Sequence, residues 1–387
     1  MHLTVRCTSD PAELPALATA WDALIDEQAP GAVFRSAAWL LPWWKHFSPG
    51  KELRIYVARS AATGRLVGVL PAYRVPTPLG GSRLRLMGDD TVGSDYLGVI
   101  ARPEDQGAAT RAIVRALAAE EHDLCFNFVA EDDPLVEALR HQATRDAGQF
   151  TAAPLLPCPY LDITAAGDFR RWRDGLPRGG GAQLVRRRRW LERRPDFALE
   201  VVTEESKMVG ALATLWQLHQ GRWAREGGSD AVDRPEVIAF HAEAGTELAR
   251  RGWARVYLLH VEGAARAALY GFERGGRFAY YQSGNEPAWR QRSVGTVVLG
   301  AAIEDAFARG LCEFDFLHGD EAYKSTFAAS RRWLLQVRVA TGARARAQWA
   351  MDEGFRAGRQ LVRKHLPPGA VAWVQRTRRR LRREVWT

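Results

Sequence analysis

The chain has 387 residues, 47% hydrophobic and 26% charged, the balance of a soluble globular protein with room for two or three cored domains. No apolar run is long enough for a membrane helix, and Asp10, Glu13 and Asp22 interrupt any secretory leader. The net charge of +9 is confined to the end: residues 341–387 hold twelve Lys/Arg against three Asp/Glu, leaving the other 340 residues neutral at 42 against 42. A body without net charge argues against a nucleic-acid binder. Cys7, Cys125, Cys158 and Cys312 lack Cys-x-x-Cys spacing, so they read as free thiols in a reducing cytoplasm, and no metal is expected.

An aromatic-rich element, Phe34-Arg35-Ser36-Ala37-Ala38-Trp39 with Trp43-Trp44, lies near the start. Residues 53–58 and 66–73 flank a Thr63-Gly64 turn and read as a hairpin. Then come a strand over 96–100, a helix over 107–119 and a strand over 124–129. The same order returns downstream: a hairpin from 255–261 and 267–272, a strand over 277–283, a helix from Ser293 to Gly310, and a strand over 313–317. Two copies of one α/β unit account for the length better than one large sheet. Between the copies, Pro154, Pro157 and Pro159 predict an extended crossover. A segment over 168–176, a Gly179-Gly180-Gly181 hinge and a helix over 183–194 follow, the last bearing Arg186-Arg187-Arg188-Arg189-Trp190. Over 206–224, Leu212, Leu215, Trp216, His219 and Trp223 fall on one helical stripe. His219 fits a satisfied core histidine and a functional one equally well. In the tail, 351–366 and 370–383 read as two helices separated by Pro367-Pro368-Gly369.

Two segments carry chemistry. Tyr280-Tyr281-Gln282 end a strand, Arg290, Arg292, Ser293, Val294, Gly295 and Thr296 form a loop, and a helix begins at Ser293. First-turn N–H groups, the macrodipole and two arginines make that an anion site. In the first copy, Glu104 and Asp105 precede the corresponding helix and would repel an anion, so the anion site belongs to the second copy alone. The second segment is Phe314-Asp315-Phe316-Leu317-His318-Gly319-Asp320-Glu321-Ala322-Tyr323-Lys324. It reads as a buried strand, a glycine break and a new helix capped by Asp320, with Tyr323 in its first turn. So dense a polar cluster beside a sheet edge points to function.

The order strand, anion loop, helix, strand, tyrosine resembles the catalytic part of the GNAT acyltransferase superfamily, most of all its FemAB-like/CelD-like branch with tandem acyltransferase-like domains. Asp315–Lys324, Leu218-His219-Gln220-Gly221-Arg222-Trp223, the tryptophan element and Ser94-Asp95-Tyr96-Leu97 carry the likeness, over roughly residues 10 to 340. The resemblance implies an α/β (α+β) fold of two tandem GNAT-like mixed-sheet domains, 1–160 and 161–345, with flanking helices and a basic helical tail over 346–387. It implies an N-acyltransferase moving an acyl group, acetyl above all, from acyl-CoA to an amine acceptor that is sugar- or peptide-linked. Tyr323 then occupies the place of the general acid. A phenol is a poor base at neutral pH, so the base is sought among Asp315, Asp320 and His219. Arg290, Arg292, Ser293, Val294, Gly295, Thr296, Tyr281 and Gln282 are expected at the donor. Lys324, Arg222, Trp223, Asp95 and Tyr96 are expected at the acceptor, unless Lys324 only pairs with Asp320. The superfamily's second small loop residue is Val297 here, which leaves room for a different donor. Two alternatives therefore stay open: a FemAB-like aminoacyl transferase using aminoacyl-tRNA, and a non-catalytic biosynthetic scaffold with a vestigial site. The basic helices are expected to touch an anionic membrane or an acyl-carrier protein, bringing a cytoplasmic enzyme to the inner membrane face.

Overall fold

The computed structural model describes residues 2–25, 29–89, 92–224 and 234–365. The first half supplies strands β1 (Leu3–Thr8), β2 (Glu52–Ser60), β3 (Leu66–Pro76), β4 (Ser82–Leu86), β5 (Ile100–Ala101), β6 (Asp123–Ala130) and β7 (Gln149–Asp162). The second supplies β8 (Ala198–Val202), β9 (Ala254–Val261), β10 (Ala264–Arg274), β11 (Arg277–Asn285), β12 (Glu313–Asp315) and β13 (Ser330–Ala340). Helices α1 (Leu14–Asp22), α2 (Ala37–Phe47), α3 (Gln106–Glu120) and α4 (Pro134–Arg145) belong to the first half. They are followed by α5 (Ile163–Ala166), α6 (Phe169–Asp174), α7 (Gly180–Glu192), α8 (Glu205–Ala224), α9 (Pro235–Arg250), α10 (Val294–Ala308), α11 (Lys324–Phe327) and α12 (Gly342–His365).

The strands join one mixed sheet in the order β1-β2-β3-β4-β6-β13-β7-β12-β11-β10-β9-β8, with β5 added to β3. Each half makes one parallel step, β4 to β6 and β11 to β12, and a parallel step needs a crossover. Helices α3 and α10 lie between those strands in the chain. The two halves then exchange their last strands: β13 pairs with β6 of the first half, and β7 pairs with β12 of the second. The β7–β13 ladder sits at the middle, antiparallel from Ser330↔Tyr160 to Ala340↔Gln149. The halves therefore share a single sheet, with a strand of each enclosed by the other.

The proline-rich crossover is a sheet strand, β7. Its prolines are tolerated because in an extended chain a residue's N–H and C=O point to the same side. The carbonyls of Pro157 and Pro159 face the loop after β12, accepting the N–H groups of Gly319 (3.0 Å) and Phe316 (2.9 Å). The missing donors of Pro157 and Pro159 thus fall on that side, away from β13, whereas at Pro154 the β13 ladder shifts register between Leu334 and Leu335.

Two apolar cores flank the sheet. One joins the first half to α8, α9 and one face of β10 and β11; Trp39 packs edge-on to Phe240 at 4.9 Å and to Phe272 at 5.3 Å. The other lies beneath α10, with Phe278, Tyr280, Phe314 and Phe316. Helix α10 is apolar nearly all round because α7 covers its other side, Leu184 reaching the position of Gly300.

Several element boundaries differ from expectation. Tyr96 and Leu97 are loop, and only Ile100–Ala101 pair as β5. Strand β12 stops at Asp315. Asp320 caps no helix: α11 starts at Lys324, and Tyr323 holds its N-cap position. The first tail helix begins at Gly342, nine residues ahead of expectation, and Phe355, expected in its apolar complement, is 63% exposed. The second tail helix lies outside the described residues.

Candidate active site

Strands β11 and β12 pair at Arg277↔Glu313, Phe278↔Phe314 and Ala279↔Asp315, and then part. Strand β11 runs on to Asn285 with β10, whereas β12 ends and its chain turns away at Leu317, whose φ is +54°. The opening between them has two sides. Tyr280 faces the α10 core, and Tyr281 faces the core shared with the first half.

On the α10 side, Pro287–Arg292 form a 3-10 turn, and Ser293, at φ +56°, redirects the chain into α10. The first N–H groups of this helix have no carbonyl of their own helix to bond. Gly295 is half-buried, and a Cβ there would meet nothing nearer than Asn285 Oδ1 at 3.5 Å. Val294 and Val297 are fully buried in the core, so the bulk of Val297 points away from the loop. Arg290, Arg292 and Thr296 are exposed. The Arg292 guanidinium stacks on Trp190 at 4.2 Å, with Arg194 on the same ring at 4.1 Å. The arginine run is partly structural. Arg187 donates to the Gln291 carbonyl at 3.0 Å, and Arg188 pairs with Glu304 of α10 and with Glu192. Arg186 and Arg189, with Trp190 and Arg193, line a shallow hollow beside the loop. The Gln282 side chain accepts from the Ser283 N–H at 3.0 Å.

Tyr323, 38% exposed, sets its hydroxyl 3.3 Å from that of Tyr280, which bonds Ser283 Oγ at 2.6 Å. This relay stands at the mouth of the opening, on the α10 side. Lys324 is buried: its ammonium donates to the His318 carbonyl at 2.7 Å and pairs with Glu321 at 3.0 Å, not with Asp320. Gly319, at φ +131°, makes room for both, since a Cβ would strike Glu321 Oε2 at 2.2 Å and Lys324 Nζ at 2.8 Å. Lys324 therefore holds the loop together, and Asp320 lies exposed on it.

On the other side, residues 92–97 of the first half cross the opening. The Val92 carbonyl accepts the Tyr281 hydroxyl, so the ring of Tyr281 belongs to the inter-half core and not to the anion loop. Ser94 accepts the Trp39 indole N–H at 2.8 Å, which gives the tryptophan element its task. Asp95, fully buried, accepts the backbone N–H of His318 at 2.8 Å and meets its Nδ1 at 2.6 Å. Tyr96 donates to Asp315 Oδ2 at 2.7 Å, and the Leu317 N–H donates to Asp315 Oδ1 at 2.8 Å. Burial pushes the Asp315 carboxyl up to about 6, against the opposing pull of Arg332. Asp315 is thus locked inside the joint between the halves. His219 sets Nδ1 3.0 Å from the Ser283 carbonyl and packs its backbone on Gly284. Arg222 and Trp223 lie in α8, but their side chains fall outside the described residues.

In the sequence His318 stands inside the Asp315–Lys324 motif with no local signal of a role. Its partner Asp95 lies 223 positions away, and nothing local in either segment announces the pairing. Tyr280 and Arg332 were missed in the same way. Among the described residues, no three His, Cys, Asp or Glu side chains gather into a metal site, and no helix is long and apolar enough to cross a membrane.

Residues 181–325, which hold the loop before α10, the parted strands and Tyr323, match the family model of the acetyltransferase (GNAT) domain. The sequence has no match among curated proteins. Its fold is similar to the C-terminal domain of a protein described as a lysylphosphatidylglycerol synthetase from Agrobacterium fabrum, with a TM-score of 0.55 and 14% identity over 89% of this chain and 96% of that one. It is likewise similar to FemX, with a TM-score of 0.55 and 11% identity over 87% of this chain and 97% of that one. The second half thus carries an acyltransferase domain of the GNAT type. The likeness to FemX is one of fold, with both joined halves included in the match.

Proposed function

We propose that the chain transfers an acyl group, acetyl above all, from acyl-CoA to the amine of a small sugar- or peptide-linked acceptor. Residues 161–345 carry the chemistry, residues 1–160 line the acceptor side, and the basic tail from 346 guides the enzyme toward an anionic surface. The observation that carries this reading is the parting of β11 and β12 after Ala279 and Asp315, with a helix N-terminus on one strand's path and a tyrosine hydroxyl at the mouth. Pantetheine in that opening would gain the backbone groups that β11 no longer shares with β12. The pyrophosphate would meet the first turn of α10 near Ser293–Thr296, with Arg290 exposed beside it and Arg292 held against Trp190. Tyr323 would protonate the leaving thiolate, relayed to Tyr280 and Ser283. As Val297 points into the core, the departure from the superfamily's loop pattern does not obstruct a phosphate.

Isothermal calorimetry and a thermal-shift series with CoA, acetyl-CoA, longer acyl-CoAs and tRNA test this. Acyl-CoA is expected to bind and stabilise the protein. Gly295→Glu, which adds bulk and negative charge at the helix start, is expected to abolish that binding. Unchanged CoA affinity in the variant would move the donor elsewhere. Stabilisation by tRNA alone would favour the aminoacyl-transferase reading, and stabilisation by neither would favour the scaffold reading.

A further inference from the structure

The acyl-transfer reading leaves the base unassigned, and the three residues expected in that role are poorly placed. Asp315 is sealed into the joint, Asp320 lies exposed on the loop, and His219 sits in the core packed on Gly284. A fourth group has the geometry. His318 directly follows the turn that ends β12, and the Asp95 carboxylate grips both its backbone N–H and its Nδ1. A carboxylate that already accepts a backbone N–H is an acceptor, so it fixes the proton on Nδ1 and leaves the Nε2 lone pair for a substrate. The side chain is one-third exposed, whereas Asp95 is fully buried. The ring lies against Phe128, centroids 5.7 Å apart, and over Gly93, where a Cβ would come within 3.0 Å of Cε1. Its anchor, the 92–97 loop, also holds Tyr281 through Val92, so His318 is fixed on the side of the opening away from Tyr323.

We infer that His318 is the general base for the acceptor amine, with Asp95 as its positioning residue, and that acid and base act from opposite sides of the parted strands. The inference rests on the acyl-transfer reading above. As the amine nitrogen attacks the thioester carbonyl, the new C–N bond forms and His318 Nε2 takes the amine proton. The C–S bond breaks and the thiolate takes the proton of Tyr323. Solvent then carries the proton from His318 back to the phenolate, so the products are an amide and free CoA with no net proton change in the enzyme. The charged groups facing His318 are Asp95, Lys324 and Glu321. Asp95 is the strongest influence and holds the imidazole above its ordinary range, against burial and Lys324.

The test uses the full-length protein, acetyl-CoA and a panel of amines led by glucosamine and a lysyl dipeptide. His318→Ala is expected to keep CoA affinity within about threefold while kcat falls by roughly 10²–10⁴. Added imidazole is expected to restore part of that turnover, and to have no such effect on wild type. Asp95→Asn should lower kcat less and move the acidic limb of kcat/KM to lower pH, because the group holding His318 protonated is gone. Should Asp95→Asn fail to fold, the imidazole rescue of His318→Ala still decides. Near-wild-type kcat in His318→Ala, a rise in KM alone, or loss of kcat without rescue would overturn the assignment. Failure of the underlying reading is separate: wild type would then show no acyl-CoA affinity at all.

Discussion

The Tyr96 phenol of the first half donates to the Asp315 carboxylate of the second across 2.7 Å, joining residues 219 positions apart in a site that water does not reach. Tyr96 takes part from a left-handed backbone conformation, φ +59°, which tertiary contacts must hold. Tyr96→Phe removes one partner and leaves a buried carboxyl with a bond fewer. The expected cost is about 1–3 kcal/mol, read as a lower urea midpoint with unchanged slope. An unchanged midpoint would mean that this bond contributes nothing to the joint.

Asp315 also gives the protein a pH signature. Its folded value of about 6 stands above the usual 3.8, so the folded state holds the proton more tightly than the unfolded state. Its stabilisation is complete below about pH 4 and is lost as pH rises through 6. Roughly two pKa units at about 1.4 kcal/mol each give about 3 kcal/mol. Wild type should therefore lose about that much stability between pH 4 and 7 relative to Asp315→Asn, which cannot titrate. Parallel stability curves for the two proteins would show that Asp315 ionises without cost.

The sequence made the repeated α/β unit legible because each hairpin, crossover helix and strand carries its own local period, and these survive in β2–β3, α3–β6, β9–β10 and α10–β12. The exchange of β7 and β13 was hidden, because pairing partners are set by long-range register and not by composition. Three prolines made β7 look like a linker; the loop after β12 explains how the sheet holds Pro157 and Pro159, and a register shift against β13 accompanies Pro154. At the site, the loop before α10 and Tyr323 could be proposed from sequence because each lies in a contiguous motif. The Asp95–His318 contact brings together two short segments from different halves, and one sequence without its fold cannot join them.

Helix α8 lies so close to β11 that glycine is required at position 284. A Cβ there would stand 2.6 Å from the His219 nitrogen and 2.9 Å from the Leu215 carbonyl, both backbone atoms that cannot swing aside. Gly284→Ala should cost about 1–3 kcal/mol as the helix moves out, and should lengthen the contact between His219 and Ser283. Because α10 lies on the opposite face, CoA affinity is expected to stay within about threefold. Thermal unfolding and calorimetry read the two effects separately, and unchanged stability would contradict the close approach.

The tail helix α12 is fastened by charge. Asp352 accepts from Arg83 at 2.6 Å, from Arg338 at 2.8 Å and from Gln348 at 2.9 Å, and Arg338 is almost completely buried with its guanidinium over Trp349. Among the described residues, Asp352→Ala leaves Arg338 with Glu353 as its one acidic partner, at 3.4 Å, and should cost about 3 kcal/mol. These partners hold the Asp352 carboxyl below its usual range, so its contribution is present above about pH 4 and is lost as pH falls through the folded value. Urea unfolding at pH 7 and pH 3 checks both, with the difference between variant and wild type expected to shrink at pH 3.

Tyr323→Phe isolates the proposed acid. The Tyr280–Ser283 hydrogen bond at 2.6 Å does not involve Tyr323, and Tyr323 is exposed enough that losing one oxygen leaves no buried gap. Stability and CoA affinity should therefore stay close to wild type. Turnover should fall by roughly two to three powers of ten, because the thiolate would leave without its proton donor. The loss should shrink for thioesters of more acidic thiols, whose thiolates need no proton to depart. Stopped-flow acyl transfer from acetyl-CoA and from an aryl thioester makes the comparison. Equal losses with both donors would assign Tyr323 to orientation, and wild-type turnover with chemistry rate-limiting would remove it from the mechanism.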